Sequence, residues 1–114
     1  MVTPAAGSVV VVPFPFSDLS QAKLRPALVL ADAGRGDWIL CQITSNPYGD
    51  TRAVRLTDAS FRTGSLRMVS YVRPGKLFTA NRDLMTAQVG NLEDERLKVV
   101  IEAVVSILRA SLKP

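Results

Sequence analysis

The segment over residues 7–30 places the strongest constraint on the fold, because two apolar runs in it flank a polar loop. The first run carries Pro13 and Pro15, which remove backbone donors two residues apart and therefore on one side of a strand. That end of the strand should lie on a sheet edge or leave the sheet. The second run begins at Pro26, directly after Arg25, and has the composition of a buried strand. The segment predicts two strands and a connecting loop that ends in an arginine.

Short apolar runs separated by Gly and Pro continue along the chain. Two of them should form a hairpin, because a loop with Gly34 and Gly36 joins them. Pro74-Gly75 is interpreted as a turn. The predicted strands are residues 8–16, 26–31, 38–43, 53–56 and 68–72, with 76–79 as a further short piece. This pattern predicts a mainly β fold built as a small antiparallel barrel.

The last segment changes to a helical period. Its apolar residues form one predicted stripe: Leu97, Ile101, Val104, Leu108 and Leu112. Asn91 is the predicted N-cap, the acids at 93–95 suit the first turn, and Lys113 suits the last. The pattern predicts an amphipathic C-terminal helix packed on the sheet.

The composition is that of one domain over residues 1–114, with 47% hydrophobic and 21% charged residues. Lys23 is the first basic residue, and prolines interrupt the first apolar run. We therefore expect neither a signal peptide nor a membrane span, and a cytoplasmic protein. The single cysteine, Cys41, excludes an intrachain disulfide and fits a small buried side chain in a reducing compartment.

Positive charge is concentrated between residues 52 and 82, in a chain whose formal net charge is +4. Asp58 is the only acidic residue in this segment. The basic residues are Arg52, Arg55, Arg62, Arg67, Arg73, Lys76 and Arg82. A basic face that binds a polyanion is one interpretation, since phosphate contacts by Lys and Arg supply most of the non-specific affinity for nucleic acid. A solvated, arginine-rich surface is the alternative.

Histidine is absent from the sequence. This excludes serine-histidine-aspartate hydrolysis, cysteine-histidine nucleophiles, histidine-ligated zinc and RNA cleavage by paired histidines. Glycine-rich nucleotide-binding motifs of the GxxxxGK or GxGxxG type are also absent. The sequence therefore predicts neither a metal site nor a cofactor.

Arginine, hydroxyl and amide groups remain as candidates for chemistry. In the predicted hairpin the start of the first strand lies near the end of the second, which brings Arg25 toward Thr44. A guanidinium beside a hydroxyl forms a clamp that can stabilise the extra negative charge of a phosphorane transition state. Thr44, Ser45 and Asn46 end the second strand before Pro47, and these side chains would equally satisfy a turn.

At these residues the sequence resembles the MazF/PemK family of toxin endoribonucleases, over nearly the whole chain. Residues 7–30 look like the first strand, the flexible loop and the Arg-Pro start of the second strand in that family. The run ITSNP looks like its short threonine motif. The run GSLRMVSYVRPGKLFT resembles a later strand, with Ser65, Arg73 and the Lys76-Leu77 pair at matching places.

The resemblance implies a five-stranded, Src-homology-like barrel of the CcdB/PemK type. It also implies sequence-specific, metal-independent cleavage of single-stranded messenger RNA, with the RNA 2′-hydroxyl as nucleophile and with cyclic phosphate and 5′-hydroxyl ends as products. Arg25 and Thr44 match the catalytic residues of the family. The implied substrate contacts are Lys23, Ser45, Asn46, Ser65, Ser70, Tyr71 and Arg73. Tyr71 fits packing within the sheet as well.

The same resemblance implies the partners. They are a second copy of the chain, in a homodimer, and a cognate antitoxin whose disordered acidic tail occupies the RNA groove. Two other functions stay open, since CcdB toxins share the fold while inhibiting DNA gyrase, and a non-catalytic barrel would bind nucleic acid without cutting it. The pair Arg25 and Thr44 argues for the ribonuclease.

Overall fold

The computed structural model describes residues 2–15 and 22–112. Within these ranges seven strands precede one helix. The strands are β1 (Ser8–Pro15), β2 (Ala22–Gly34), β3 (Asp37–Thr44), β4 (Val54–Leu56), β5 (Phe61–Gly64), β6 (Ser70–Asn81) and β7 (Ala87–Leu92), and the helix is α1 (Asp94–Arg109). The architecture is therefore mainly β with a C-terminal helix, as the sequence predicts.

The seven strands form one antiparallel sheet in the order β4-β6-β3-β2-β1-β7-β5. Its two end strands, β4 and β5, are consecutive in the chain and are separated only by residues 57–60. Because so short a connection holds the two sheet edges close together, the sheet curls into a nearly closed barrel. The predicted barrel is confirmed, but it has seven strands instead of five.

The two strands that the sequence did not reveal are β5 and β7. β5 has only four residues, and β7 includes Gly90 and Asn91, which have low intrinsic preference for strands. Both strands form because they pair: β7 lies between β1 and β5 in the sheet. The five-strand prediction was wrong because ladder pairing here outweighs local preference.

The prolines of β1 lie where the sequence places an edge. β1 pairs with β2 as far as Pro15, which faces Ala22. Its ladder with β7 ends earlier, at Val11 opposite Ala87. Pro13 and Pro15 therefore come after the end of the β7 ladder, and the predicted edge is confirmed. The predicted strand end at Phe16 and residues 17–21 of the loop lie outside the described residues.

The hairpin of β2 and β3 is confirmed and is longer than predicted. Only Arg35 and Gly36 connect the strands, and both have positive φ, 60° and 83°. A two-residue connection of this kind matches the right-handed twist of the flanking strands. The ladder pairs Ala27 with Gln42, which sets the register toward the open end of the hairpin.

The turn predicted at Pro74-Gly75 is wrong, because β6 continues through it. Opposite β3, Gln42 pairs with Arg73 and Cys41 pairs with Leu77. Residues 74–76 therefore bulge out of the ladder, and a bulge tolerates a proline that has no N–H to donate. The two strand pieces predicted at 68–72 and 76–79 belong to one bulged strand.

The helix packs on the barrel through only part of the predicted stripe. Val100, which was not in the predicted stripe, is buried, and the predicted Leu97 and Val104 are half-buried against the core. The other predicted members, Ile101, Leu108 and Leu112, are exposed. Two apolar stripes run along α1, and the sequence period alone does not tell which one meets the sheet. In the described part of the chain, no helix has the length and apolar character that crossing a membrane requires.

The predicted N-cap of the helix is also wrong. Glu93 occupies that position, while Asn91 is still in β7. The Asn91 amide joins neighbouring strands instead, since its Nδ2 donates to Thr63 Oγ1 of β5 at 3.0 Å and its Oδ1 accepts from Ser8 Oγ of β1 at 3.3 Å. Lys113 lies outside the described residues.

Alternating side chains of the sheet form two apolar clusters. One lies within the barrel and against α1, and the other covers the opposite face of β1, β2 and β3. Cys41 belongs to the first cluster, and its burial raises the pKa of the thiol to about 12. The thiol is therefore neutral at physiological pH, and the predicted role of Cys41 as a small buried side chain is confirmed.

Two glycines permit the close approach of β5 and β7. A Cβ on Gly90 would come within 2.6 Å of the Thr63 carbonyl oxygen and within 2.8 Å of the Phe61 ring. Gly64 is equally crowded by β7 and has a φ of 74°. The last strand therefore joins the barrel only because these positions lack side chains.

We expect Gly90→Ala to lower the free energy of unfolding by about 2 kcal/mol, the cost typical of overpacking. The matched control is Gly75→Ala, because a Cβ there would meet only Ile107 Cδ1 at 3.9 Å. The control should shift stability by no more than about 0.5 kcal/mol. Urea unfolding followed by Trp38 fluorescence measures both, and equal midpoints for the two variants would contradict the close-approach argument.

Candidate functional site

The hairpin register brings the two predicted catalytic residues together. Ala27 faces Gln42 across β2 and β3, and continuing this register by two residues sets Arg25 opposite Thr44. On the other side of β3, Thr44 pairs with Tyr71. Residues paired across an antiparallel ladder present their side chains to the same face, about 5 Å apart. If the register continues, Arg25, Thr44 and Tyr71 share one row, in which the pair of Thr44 with Tyr71 belongs to the β3–β6 ladder.

A second row lies two residues further along the same face. Ala27, Gln42 and Arg73 face one another across β2, β3 and β6. Arg55 of β4 extends the first row, since it pairs with Tyr71. The face thus carries three arginines beside the hydroxyl of Thr44, which makes it suited to a negatively charged ligand.

Arg25 and Thr44 line one groove of about 400 Å³, called here the first groove. Its polar lining residues are Arg25, Gln42, Thr44, Ser45, Tyr48 and Ser70. Leu24 and Met68 also line it and are largely exposed. Cationic and hydroxyl groups next to exposed apolar side chains suit a ligand that has both charged and flat apolar parts.

The Thr44 hydroxyl is oriented by the backbone that follows β3. Its Oγ1 accepts a hydrogen bond from the Asn46 N–H at 3.1 Å. Because this bond uses the oxygen as an acceptor, the hydroxyl hydrogen stays available to donate. Thr44 can therefore donate a hydrogen bond to an anionic oxygen that also contacts Arg25.

Asn46 shapes the loop after β3. Its Oδ1 accepts a hydrogen bond from the Tyr48 N–H at 2.9 Å, which forms an Asx turn. Tyr48 has a φ of 53° and lines the first groove. The structure therefore shows Asn46 holding Tyr48 in place, and Asn46 is not among the lining residues of the groove.

Gln42 is a half-buried residue of the first groove. Its amide oxygen is buried and has no hydrogen-bond partner within the described ranges. An unpaired buried acceptor costs free energy, so a leucine of similar size would be expected there if packing were the only requirement. A polar residue inside the apolar run WILCQI was the sequence signal for this position.

Arg73 lies beside the first groove and is held in an ion pair. Its Nε lies 3.1 Å from Asp50 Oδ2, and the two side chains are only 20% and 17% exposed. The Arg73 guanidinium also lies 5.7 Å from the centre of the Tyr48 ring. Arg73, Tyr48 and Asp50 therefore form one cluster above the sheet.

The cluster borders a second groove of about 400 Å³, called here the second groove. It is lined by Tyr48, Asp50, Arg52, Arg73, Gly75 and Lys76, among others. The pKa of the Asp50 carboxyl lies below its ordinary value, mainly because the Arg52 N–H donates to it and further because Arg73 is close. The carboxylate therefore stays charged and keeps Arg73 in place.

The other predicted substrate contacts are dispersed. Ser70 is buried, lines the first groove and donates to the Met68 carbonyl at 3.2 Å. Ser65 builds a turn, because its hydroxyl donates to Asp58 at 2.8 Å and accepts the Arg67 N–H at 2.9 Å. Lys23 is exposed on β2 and does not line the first groove.

The predicted basic face is divided. Arg52, Arg73 and Lys76 meet in the second groove. Arg62 instead binds Glu93 and Asp94 at the start of α1. Arg67 and Arg82 are exposed on other parts of the surface. Strand alternation and turns separate residues that the sequence presents as a single run.

Residues 2–15 and 22–112 contain no group of three or more His, Cys, Asp or Glu side chains arranged to hold a metal ion.

Tyr48 is a groove residue that the sequence analysis did not single out. It contacts Arg73 and lines both grooves. The signal available for it was an aromatic residue directly after Pro47 in an otherwise polar turn.

The barrel with its helix is the fold of the MazF toxins. The MazF structure from Deinococcus radiodurans, in a MazE-MazF complex, matches with a TM-score of 0.74 and 24% identity, covering 97% of this chain and 100% of that chain. The Mycobacterium tuberculosis toxin MazF-mt6 matches with a TM-score of 0.67 and 20% identity, covering 89% of this chain and 95% of that chain. A mycobacterial endoribonuclease in complex with its cognate antitoxin matches with a TM-score of 0.69 and 16% identity, covering 95% of each chain.

Residues 5–108 match the family of PemK-like, MazF-like toxins of type II toxin-antitoxin systems. Because this match covers most of the chain, the protein belongs to that family. No match is found among curated protein sequences. The resemblance drawn from the Arg-Pro and ITSNP segments is thereby confirmed at the level of the family.

We expect Asp50→Asn to lower the free energy of unfolding at pH 7 by about 1 kcal/mol, because it removes a partly buried charged hydrogen bond. A carboxyl with a lowered pKa stabilises the fold above its ordinary pKa of 3.8, and this contribution disappears as the pH falls through the folded value. The difference between wild type and variant should therefore vanish in acid.

Thermal melts between neutral and acidic pH measure this difference. Asp83→Asn is the matched control, since Asp83 is an exposed acid in the turn before β7. A difference for Asp50→Asn that stays constant down to the most acidic pH at which the protein folds would contradict the assigned role of the carboxylate.

Proposed function

We propose that this protein is a cytoplasmic toxin endoribonuclease that cleaves single-stranded messenger RNA within short sequence contexts and without a metal ion. The observation that carries the proposal is that Arg25 and Thr44 line one groove, just beyond the Ala27–Gln42 pair with which the β2–β3 ladder ends. Membership of the toxin family and the likeness to a mycobacterial endoribonuclease support it.

The chemistry suits the groups in the first groove. In the proposed reaction the 2′-oxygen attacks the adjacent phosphorus, the bond from phosphorus to the 5′-oxygen breaks, and a cyclic phosphate and a 5′-hydroxyl result. One proton leaves the 2′-hydroxyl and one is delivered to the departing oxygen. No protein nucleophile is required, which fits a groove whose described lining residues include no cysteine and no carboxylate.

Arg25 is assigned to charge stabilisation. A guanidinium is a permanent cation with a fixed fork of donors, so it can bind two phosphoryl oxygens as their negative charge grows. The Thr44 hydroxyl adds a third donor, because its oxygen already accepts from Asn46. Preorganised donors of this kind each contribute about 3 kcal/mol to lowering the barrier in comparable oxyanion sites.

The proposed substrate contacts are supported by their positions. Ser45 and Ser70 line the first groove, and Tyr71 pairs with Thr44. Arg73 is proposed to contact the RNA beside Tyr48, whose ring centre lies 5.7 Å from its guanidinium. Lys23, Asn46 and Ser65 are proposed as outer contacts, with Asn46 acting through the loop that it shapes.

A cognate antitoxin with a disordered acidic tail is the proposed protein partner. A complex with an antitoxin is described for the mycobacterial relative, and a MazE-MazF complex for the Deinococcus one. The support in this chain is charge, because both grooves carry arginine. An acidic tail laid along them would compete with RNA for the same cations.

A homodimer is proposed as well. The support is the exposed apolar stripe formed by Ile101, Val105 and Leu108 of α1 and continued by Leu112 after the helix ends. Contiguous exposed apolar residues on one side of a helix are typical of an interface. A second copy of the chain would cover this stripe in a symmetric pair.

We expect Arg25→Ala to reduce RNA cleavage in EDTA by at least about a thousandfold, because it removes the cation of the clamp. Thr44→Ala should reduce RNA cleavage by a comparable or smaller factor. The assay is incubation with a long unstructured RNA, followed by mapping of fragment ends, which should carry 5′-hydroxyls. Arg82→Ala is the control, since Arg82 lies beside Gly36 at the far end of the hairpin.

Cleavage that persists in Arg25→Ala would refute the site. Intact RNA with the wild-type protein would refute the proposed activity and favour a nucleic-acid-binding barrel or a gyrase inhibitor. Melting curves of the two site variants should match the wild type, because Arg25 is exposed and Thr44 lies at a strand end.

We expect Leu108→Glu to raise the dimer dissociation constant by at least about tenfold, because it places a charge in the proposed apolar interface. Ser106→Glu adds the same charge to α1 outside the exposed stripe and should leave the dimer intact. Sedimentation equilibrium measures both. A Leu108→Glu protein that dimerises like the wild type would rule out this face.

A further inference from the structure

Tyr48 separates the two grooves. Of the residues that line the first groove and the second groove in the described part of the chain, it is the one they share. Its side chain is 69% exposed, which is unusual for a large aromatic residue held in a defined loop. A ligand that passes from one groove to the other must cross the Tyr48 ring.

The backbone at Tyr48 is held in a costly conformation. Its φ of 53° lies in the left-handed region, which a bulky residue rarely adopts. The Asn46 Oδ1 accepts the Tyr48 N–H, and the Asp50 N–H donates to the Pro47 carbonyl at 2.9 Å. Such strain persists where the surrounding structure fixes it and is concentrated at ligand-binding sites. The loop therefore presents the phenol ring at one fixed place.

Arg73 supports the ring. Its guanidinium lies 5.7 Å from the ring centre and is itself fixed by Asp50. A cation against an aromatic ring stabilises its orientation. Since most of the Tyr48 side chain stays exposed, a flat group can still stack on it.

The second groove is cationic. Arg52 and Lys76 are exposed lining residues, and Lys76 projects from the bulge of β6. Asp50 is the only carboxylate among the described lining residues, and its charge is already engaged by Arg73 and the Arg52 N–H. With Arg52, Arg73 and Lys76 around this one carboxylate, the second groove keeps a net positive charge for an anionic ligand.

Building on the proposed function, we propose that Tyr48 is a stacking platform for an RNA base next to the cleaved position, and that Arg52 and Lys76 bind the phosphates of the adjoining nucleotides in the second groove. A single strand of RNA alternates flat bases with phosphates, which matches a ring followed by two cations. An acidic peptide would use the cations but has no need of the exposed ring.

The test uses a single-stranded RNA of about 12 nucleotides with 2′-O-methyl sugars, which binds without being cut because its nucleophile is blocked. Tyr48→Ala should weaken its binding about tenfold, the loss typical of one stacked base. Tyr48→Phe, which retains the ring face, should restore most of that affinity.

The double variant Arg52→Ala/Lys76→Ala should lower the salt dependence of binding of the 2′-O-methyl RNA by about two phosphate contacts. Arg82→Ala/Lys98→Ala removes the same charge from exposed positions outside both grooves and is the matched control. Equal salt slopes for the two double variants would overturn the phosphate assignment.

The platform is refuted if Tyr48→Ala binds the 2′-O-methyl RNA as tightly as the wild type, or if Tyr48→Phe loses as much as Tyr48→Ala. It is also refuted if Tyr48→Ala weakens an acidic peptide but not RNA. A wild-type protein that binds RNA through Tyr48 and cuts none would support the platform while the proposed activity fails. A protein that cuts RNA, but whose RNA binding does not depend on Tyr48, would support the proposed activity and refute the platform.

Discussion

The register of the β2–β3 ladder is the constraint on which the site depends. It ends at the pair of Ala27 with Gln42, and Arg25 and Thr44, two residues beyond that pair on each strand, both line the first groove. A slip of one residue would turn one of these strands over and separate the guanidinium from the hydroxyl. Burial resists such a slip, because the same register keeps Leu28 and Cys41 in the barrel core. The packing of the core and the placement of Arg25 and Thr44 at one groove therefore depend on the same ladder.

The loop after β3 shows a different balance between stability and function. Tyr48 holds a positive φ, and the amide oxygen of Gln42 is buried without a partner in the described residues. Both features cost free energy, and both occur at the first groove. The Asp50–Arg73 pair and the Asn46 turn hold the loop against that cost. The first groove therefore combines a strained backbone position at Tyr48 with an unpaired buried acceptor at Gln42.

Likeness to the MazF structures is high in fold and low in sequence, with 16–24% identity over most of the chain in those compared. A barrel of this kind tolerates wide variation because its core requires apolar side chains of suitable size at alternating positions. The fold can therefore be shared by chains whose groove residues differ.

The sequence by itself determined the mainly β architecture, the hairpin that joins Arg25 to Thr44, and the helical end, because these follow from local periodicity and turn chemistry. Tertiary structure decided the rest. β5 and β7 form because they pair with neighbouring strands. Asn91 does not cap the helix, and its side chain donates a hydrogen bond to Thr63 instead. The face of α1 that packs on the barrel is centred on Val100. Tertiary structure also brought Tyr48, Asp50 and Arg73 together from separate segments. Such outcomes depend on contacts between residues distant in the chain, and a local pattern carries no information about them.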